Sequence, residues 1–434
     1  MSTDAPPASP GLEPVLRRVL GEALAPGDAS FAVDGVAPAL VATPRSVEEL
    51  AAALAAANEA GAAVVPWGGG RHMGLGNIPA RYDLALRTAK LDRLIEYEPA
   101  DLTVTVEAGM TMGRLQALLG EHGQFLPIDA PAEATVGGAL AAGLSGPSCH
   151  AYGLPRDWLI GCRFALADGS LVKGGGRVVK NVAGYDLPKL AVGSLGTLGV
   201  IVEATFKLAP LPAAQETLVA RFDSLEAAAQ AVFAADERGL ALRGVLLQAE
   251  PDGPVGVAFW LAGPRAAVDR STREIAPTGD APVEQHEGEA SEGWWAANSE
   301  TQPSAPGMAL RASLLPANVP ALVERTLAAG REVGVVPRCL AYPTIGLVLT
   351  VADGGDPAKG AAFIDEARRW AVEAGGSLVV TSAPVAVKER IDVWGAPSTS
   401  SGPAAGSALP LMRRLKEQFD PRGTLNPGRF VGGL

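Results

Sequence analysis

Residues 39–65, ALVATPRSVEELAAALAAANEAGAAVV, change hydrophobic period twice. Leu40 to Ala42 form a short apolar run. Ser46 with Glu49 three residues later has the spacing of a capping box, the Ala/Leu stretch behind it favours helix, and Gly61 is placed to stop it. A second apolar run, Ala62 to Val65, follows at once. The pattern predicts strand, helix, strand, which delivers the next loop to a strand end where nucleotides commonly sit. Farther on, Asp83–Arg87 and the β-branched alternation of TVTVEAG (103–109) predict strands, and TMGRLQALLGEHG (111–123) predicts a helix stopped by Gly123. WLIGCRFALADGSLVKGG (158–175) predicts a hairpin about Asp168-Gly169. Residues 180–210 predict a short helix, a turn spaced by Gly193, Gly196 and Gly199, and a long strand ending at Pro210.

From 211 to 395 runs such as QETLVARF, SLEAAAQAVFAADERG and VGVAFWLAG, then MALRASLL, VPALVERTLAAG and IGLVLTVA, alternate strand and helix patterns twice over. They predict an antiparallel sheet backed by helices. The polar, acidic stretch 266–306, with its Trp294-Trp295 pair, is expected to be a long loop, and PSTSSGPAAGSAL (396–408) a flexible link before a final helix, LPLMRRLKEQFD. At 434 residues the chain exceeds one hydrophobic core. The expected organisation is α+β: a disordered lead-in over 1–30, a first domain over 31–210, a second over 211–395, and a C-terminal segment, 396–434, that returns to the first.

Composition narrows the partners. A net charge of −11 without any compensating basic run excludes nucleic acid and anionic membrane surfaces as direct partners, since both demand a basic face. No eighteen consecutive apolar residues occur, and the acidic, proline-rich N-terminus lacks the pattern of a signal peptide. Three scattered cysteines, Cys149, Cys162 and Cys339, form no CxxC pair and no even disulfide framework. A reducing, cytoplasmic setting without direct membrane insertion fits best.

The loop after Val65, PWGGGRHMGLG (66–76), raises the first chemical question. Its glycines let successive backbone N–H groups converge on an anion. It is neither a GxGxxG nor a Walker A loop, and it leads through Pro79 into another strand rather than a helix. Either it cradles phosphate with its own amides, or it is a surface turn. Between Thr135 and Leu144 nearly every residue is Gly or Ala, which admits either a flat ligand or a closely packed neighbouring helix.

Taken together, PWGGGRHMGLG, APAEATVGGALAAGLSGP, YGLPRD, KNVAGYDLPKL, GSLGTLGVI and DPRGTLNPGRF resemble the FAD-binding oxidoreductases of the vanillyl-alcohol oxidase type. The resemblance covers 35–210 and about the last twenty residues, and it implies a bipartite FAD-binding domain with an antiparallel α+β cap. Within that family the LSGP and KNVAGYDL segments look most similar to those of the FAD-binding E subunit of glycolate oxidase. Carried over, Pro66, Trp67, Gly68, Gly69, Gly70, Arg71 and His72 would wrap the diphosphate of FAD. Pro131, Thr135, Gly137 and Gly138 would line the ribityl and flavin, with Gly153 and Asp157 at the flavin edge or ribityl. Gly199 and Ile201 would face the adenine, and Asn426 and Arg429 would return to the flavin side. Covalently flavinylated relatives place His directly after the last loop glycine, where this chain has Arg71, and Glu133 stands where doubly linked relatives carry Cys. The implied FAD is therefore noncovalent.

The resemblance further implies an FAD-dependent oxidoreductase acting within a heteromeric complex. A second flavoprotein subunit and an iron–sulfur subunit would pass electrons onward, with peripheral attachment to the inner membrane through those partners. Oxidation of a small 2-hydroxy acid needs a base for the hydroxyl proton and a cation for the carboxylate. The four histidines, His72, His122, His150 and His286, show no metal-ligand spacing, so no metal site is expected. His150, in SCHAYG, is the candidate base, or else a loop histidine without a catalytic role. Tyr152 and Arg156, with Lys180 and Tyr185, are candidate substrate-orienting residues or structural hydrogen bonders, and Cys149 lacks an evident activating partner. Three readings stand open: the FAD-binding subunit of a glycolate oxidase complex, a self-sufficient FAD-dependent hydroxy acid or alcohol dehydrogenase or oxidase, and an assembly protein that binds FAD for stability alone.

Overall fold

The computed structural model describes residues 11–143, 145–176, 186–278, 283–299, 307–395 and 405–434. The chain forms two compact units, one from 1–144, 154–210 and 396–434, the other from 145–153 and 211–395.

The first unit begins with α1 (Leu12–Leu20), where a disordered lead-in was expected. Leu12, Leu16 and Leu20 recur at every fourth position and are buried with Leu50 and Leu54, so an apolar stripe outweighs the proline-rich start. Helix α2 (Val47–Glu59) opens at its N-cap as the pattern predicts, Ser46 Oγ accepting from Glu49 N at 3.2 Å, but the Glu49 carboxylate accepts from Arg45 N at 2.7 Å, one residue before the N-cap. Strands β1 (Leu24–Pro26), β2 (Leu40–Ala42), β3 (Val64–Trp67) and β4 (Leu84–Arg87) form a sheet in the order β1-β2-β4-β3, with β2 and β3 both parallel to β4.

A second, antiparallel sheet contains β5 (Leu94–Glu98), β6 (Thr103–Glu107), β8 (Leu159–Ala165), β9 (Leu171–Gly175) and β10 (Val200–Lys207), in the order β5-β6-β10-β8-β9. The pair β7 (Gln124–Phe125) and β11 (Ala209–Pro210) closes its end. Two further helices are α3 (Met112–Gly120), capped by Thr111, and α4 (Val136–Ala142), capped by Thr135. Of the expected helix in KNVAGYDLPKL, the structure describes Leu187–Ala191; residues 180–185 lie outside the described residues, as do 396–404 of the expected link.

The second unit is an eight-stranded antiparallel sheet. Its strands are β12 (Ala214–Phe222), β13 (Leu242–Ala249), β14 (Val255–Gly263), β15 (Glu284–Glu287), β16 (Gly307–Ser313), β17 (Pro337–Tyr342), β18 (Leu347–Asp353) and β19 (Ser377–Ser382), ordered β15-β12-β14-β13-β17-β18-β16-β19. Met308, Leu310 and Ala312 join one large core with the helix residues Val232, Val268, Val323 and Phe363. Trp260, Leu246, Leu340 and Tyr342 belong to another.

The long loop expected over 266–306 is largely ordered in its described part, as the helix Arg265–Ile275, strand β15 and the helix Glu289–Asn298. Val268 and Ile275, two turns apart, bury one face, while Trp295 stacks on Trp260 with ring centroids 4.8 Å apart and donates to Thr217 Oγ1 at 2.8 Å. The acidic composition belongs to the outward faces. Residues 145–153 join this unit because Pro147 lies against β13: a Cβ on Gly244 would come 2.7 Å from the Pro147 carbonyl oxygen. Among the described residues, no helix is long and apolar enough to cross a membrane.

Candidate functional site

Strand β3 carries the glycine loop. It is an edge strand, which accommodates Pro66, and its outer edge is covered by the C-terminal tail: Val64 N donates to Thr424 O at 2.7 Å and Asn426 N to Val64 O at 2.9 Å. Trp67 is buried in T-shaped contact with Phe31, fixing the loop's start. A Cβ at Gly68 would lie 2.2 Å from Thr135 Oγ1 and one at Gly69 2.5 Å from the Glu133 carbonyl oxygen, so only glycine allows the loop to lie against the start of α4. No protein acceptor among the described residues takes the backbone N–H of Gly68, Gly69, Gly70 or His72. Four donors are left for something else.

These residues form one wall of a cleft. The first turn of α4 supplies Thr135, Gly137 and Gly138; the 193–199 turn and the start of β10 supply Leu195, Gly196, Gly199 and Ile201; the tail supplies Asn426 and Arg429. The walls are tied together. The Asn426 side-chain amide donates to Leu195 O, and the buried Arg429 guanidinium donates to the Met73 and Leu75 carbonyls at 2.6 Å each, holding the loop from behind. Gly196 has a φ of +69° and comes close to Pro66 Cγ, 3.0 Å from where its Cβ would sit.

Charge in the cleft favours an anion. Arg71, His72 and Arg429 line it, and among the described residues no Asp or Glu does. Burial, reinforced by Arg71, pulls the His72 imidazole below its ordinary pKa, so near neutral pH the loop imidazole is uncharged. Unpartnered amides, glycines with no room for a side chain and the absence of lining carboxylates together fit a dinucleotide diphosphate.

Of the residues expected to hold FAD, Pro66 to His72, Thr135, Gly137, Gly138, Gly199, Ile201, Asn426 and Arg429 converge on this cleft. Pro131, Gly153 and Asp157 lie outside its lining. The Pro131 carbonyl accepts from Ala134 N at 3.0 Å and shapes the approach to Thr135. Asp157 caps its own short helix, its Oδ2 accepting from Leu154 N at 2.8 Å, while Gly153 ends the helix Cys149–Tyr152 in the second unit. Gly137 also has a packing role: its Cβ would stand 2.9 Å from Ala108 Cβ.

The candidate chemical groups separate. Arg156 is exposed on the short helix Pro155–Trp158 of the first unit. His150 and Tyr152 belong to the second unit, where His150 Nε2 lies 3.9 Å from Asp236 Oδ1 and Arg243 sits over the Tyr152 ring at 5.8 Å. Burial lowers the His150 pKa and Asp236 opposes that shift. Lys180 and Tyr185 lie outside the described residues.

Sequence reasoning missed Arg311. It alternates with Met308, Leu310 and Ala312 on β16 and so projects from the opposite face. There its Nη2 donates to Ser145 Oγ at 2.8 Å, and its buried Nε has no hydrogen-bond partner among the described residues. Burial lowers the pKa of the guanidinium, with the nearby Cys149 opposing. A solitary arginine inside the apolar run MALRASLL was the available signal. Trp295, in contrast, belongs to the core beside Trp260.

The fold and cleft define a two-unit protein whose first unit carries a dinucleotide-type cleft. Residues 38–175 match the family model of the FAD binding domain, and residues 404–430 match that of the C-terminal domain of FAD linked oxidases. These matches give the chain an FAD binding domain, whose cofactor is FAD. Glycolate oxidase subunit GlcD of Bacillus subtilis is 36% identical over 197 residues, which is 45% of this chain and 42% of that protein. Glycolate oxidase subunit GlcE of Escherichia coli is 41% identical over 128 residues, 29% of this chain and 37% of that protein. The matched stretch thus spans about two fifths of the length of these relatives. Among solved structures, substrate-bound p-cresol methylhydroxylase superposes with a TM-score of 0.74 at 17% identity, covering 97% of each chain. An alkyldihydroxyacetonephosphate synthase gives 0.74 at 18% identity, covering 99% of this chain and 88% of that one.

Proposed function

We propose that this protein is the FAD-binding subunit of a glycolate-oxidase-type complex that dehydrogenates a small 2-hydroxy acid and passes the electrons to a second flavoprotein and an iron–sulfur subunit. The observation that carries the reading is the likeness of its FAD-binding half to both GlcD and GlcE, joined to a cleft with four unpartnered amide donors and no lining carboxylate. A bound FAD supplies hydride acceptance. The loop amides of Gly68, Gly69, Gly70 and His72 hold the diphosphate, and the tail residues Asn426 and Arg429 keep that loop and the 193–199 turn in register. The reading assigns the protein to the cytoplasm, with attachment to a membrane through its partners.

A second reading, dehydrogenation by this chain alone, is favoured by two observations: His150 offers a base with Asp236 3.9 Å away, and the half-buried Arg311 offers a cation for a carboxylate. Anaerobic stopped-flow bleaching of FAD in the isolated protein separates the two. The subunit reading expects negligible reduction by glycolate or D-lactate until partner subunits are added. Rapid bleaching that His150→Ala removes would establish the second reading, and rapid bleaching that survives the change would move the base to Tyr152.

A further inference from the structure

The helix Ala405–Phe419 ends in a buried ion pair that touches neither the glycine loop nor α4 directly. Lys416 and Asp420 are 8% and 2% exposed, and Lys416 Nζ lies 2.7 Å from Asp420 Oδ2. The other two ammonium protons reach carbonyls of two segments whose neighbouring residues line the FAD cleft, Thr197 O at 2.9 Å and Leu425 O at 2.8 Å. An ammonium has three donors, and all three are used. Asp420 completes the node: its Oδ1 accepts from Thr424 N at 2.9 Å and its Oδ2 from Leu425 N at 2.7 Å.

We propose that Lys416 and Asp420 are a positioning pair for FAD, fixing the separation of the glycine turn and the C-terminal tail at which the cleft accepts the cofactor; the inference rests on the FAD reading of that cleft. On one side, Thr197 belongs to the turn whose Leu195 and Gly196 line the cleft, and Thr197 Oγ1 and N both bond to Ser194 O within that turn. On the other, Leu425 immediately precedes Asn426, which lines the cleft and donates back to Leu195 O. The same tail flanks β3 through Val64, directly upstream of the glycine loop. Two wall-bearing segments therefore meet at one ammonium group, and the tail links that node to β3. A site held in its bound geometry before the ligand arrives binds more tightly, because less ordering is left to binding.

The pair is equally a burden to the fold if halved, since an unpaired buried carboxylate is strongly destabilising. The test therefore uses Lys416→Met, Lys416→Arg and the double variant Lys416→Met/Asp420→Asn, whose neutral amide can still accept from Thr424 N. FAD affinity is read from fluorescence quenching as FAD is titrated into apoprotein, and apoprotein melting is recorded alongside. We expect the double variant to melt close to the parent yet bind FAD at least about tenfold more weakly, a tenfold change being about 1.4 kcal/mol. Lys416→Arg, which keeps a cation able to reach a carbonyl, should recover part of the affinity. Parental affinity in any folded variant that lacks a cation at position 416 overturns the proposal, and so does failure of every variant to fold, which would make the pair purely structural. Failure of the parent itself to bind FAD would instead overturn the reading of the cleft.

Discussion

The neighbouring glycines at the start of α4 should respond oppositely to the same substitution. A Cβ on Gly137 would meet Ala108, 2.9 Å from its Cβ and 3.1 Å from its carbonyl oxygen, whereas a Cβ on Gly138 meets only Thr135 Oγ1, at 3.0 Å. Both glycines line the cleft, so what differs is where the added methyl points. In Gly137→Ala, overpacking of about 1–3 kcal/mol works against the helix-propensity gain of about 1 kcal/mol. The apoprotein should lose up to about 2 kcal/mol, and at roughly 2–4 °C per kcal/mol for a unit of this size its melting point should fall by several degrees.

In Gly138→Ala the same propensity gain is offset by disturbance of the Thr135 cap, itself worth about 1 kcal/mol, so the apoprotein should stay within about 1 kcal/mol of the parent. Its methyl enters the space left for cofactor. Overlap of about 1–3 kcal/mol corresponds to FAD binding roughly 5- to 150-fold weaker, and Gly138→Val should abolish it. Calorimetry of the apoproteins and fluorescence titration with FAD measure the two effects separately. Parental FAD affinity in Gly138→Ala, or destabilisation equal to that of Gly137→Ala, would refute the reasoning and make the whole Gly/Ala stretch a packing helix.

Acid precipitation should leave all flavin in the supernatant, because Arg71 follows the last loop glycine and Glu133 occupies the other linkage position; flavin in the pellet would contradict noncovalent binding. On the second reading, Arg311→Met should weaken binding of a 2-hydroxy acid to the protein at least about tenfold, since a hydrogen bond to a charged group is worth about 1.5–3 kcal/mol, while FAD affinity stays near parental; titration calorimetry reads the first and fluorescence titration the second. Burial lowers the pKa of both His72 and His150 from the usual 6.5, so the native state binds fewer protons than the unfolded chain between the lowered values and 6.5. Their contribution to stability is complete above about pH 6.5 and is lost as pH falls through the lowered values. His72→Gln and His150→Gln should each flatten the fall in melting temperature between about pH 7 and 5, and an unchanged slope in both would show that neither imidazole is held neutral.

Local patterns reached far into this protein because local physics governs them. Ser46 and Glu49 announce the start of α2 through groups three residues apart, and the helix forms where that spacing predicts. The glycine loop, the Gly/Ala helix, the 193–199 turn and the NPGR tail were each legible as segments, because a backbone that must lie close to a neighbour or a ligand demands residues without side chains. The amphipathic stripe of Leu12, Leu16 and Leu20 was equally present but obscured by prolines upstream, and the buried face of 265–299 was obscured by the acidic residues of its outer face. Convergence was decided only in three dimensions. Residues 360 positions apart meet where Val64 pairs with the tail, and nothing in either segment names its partner. The grouping of 145–153 with the second unit, the placing of Asp236 beside His150 and the contact of Arg311 with Ser145 depend on which sheet face each residue occupies. For the same reason Lys416 reads as one more surface cation of a basic helix in LMRRLKEQFD, until the fold closes over it and turns its charge toward two carbonyls and a carboxylate.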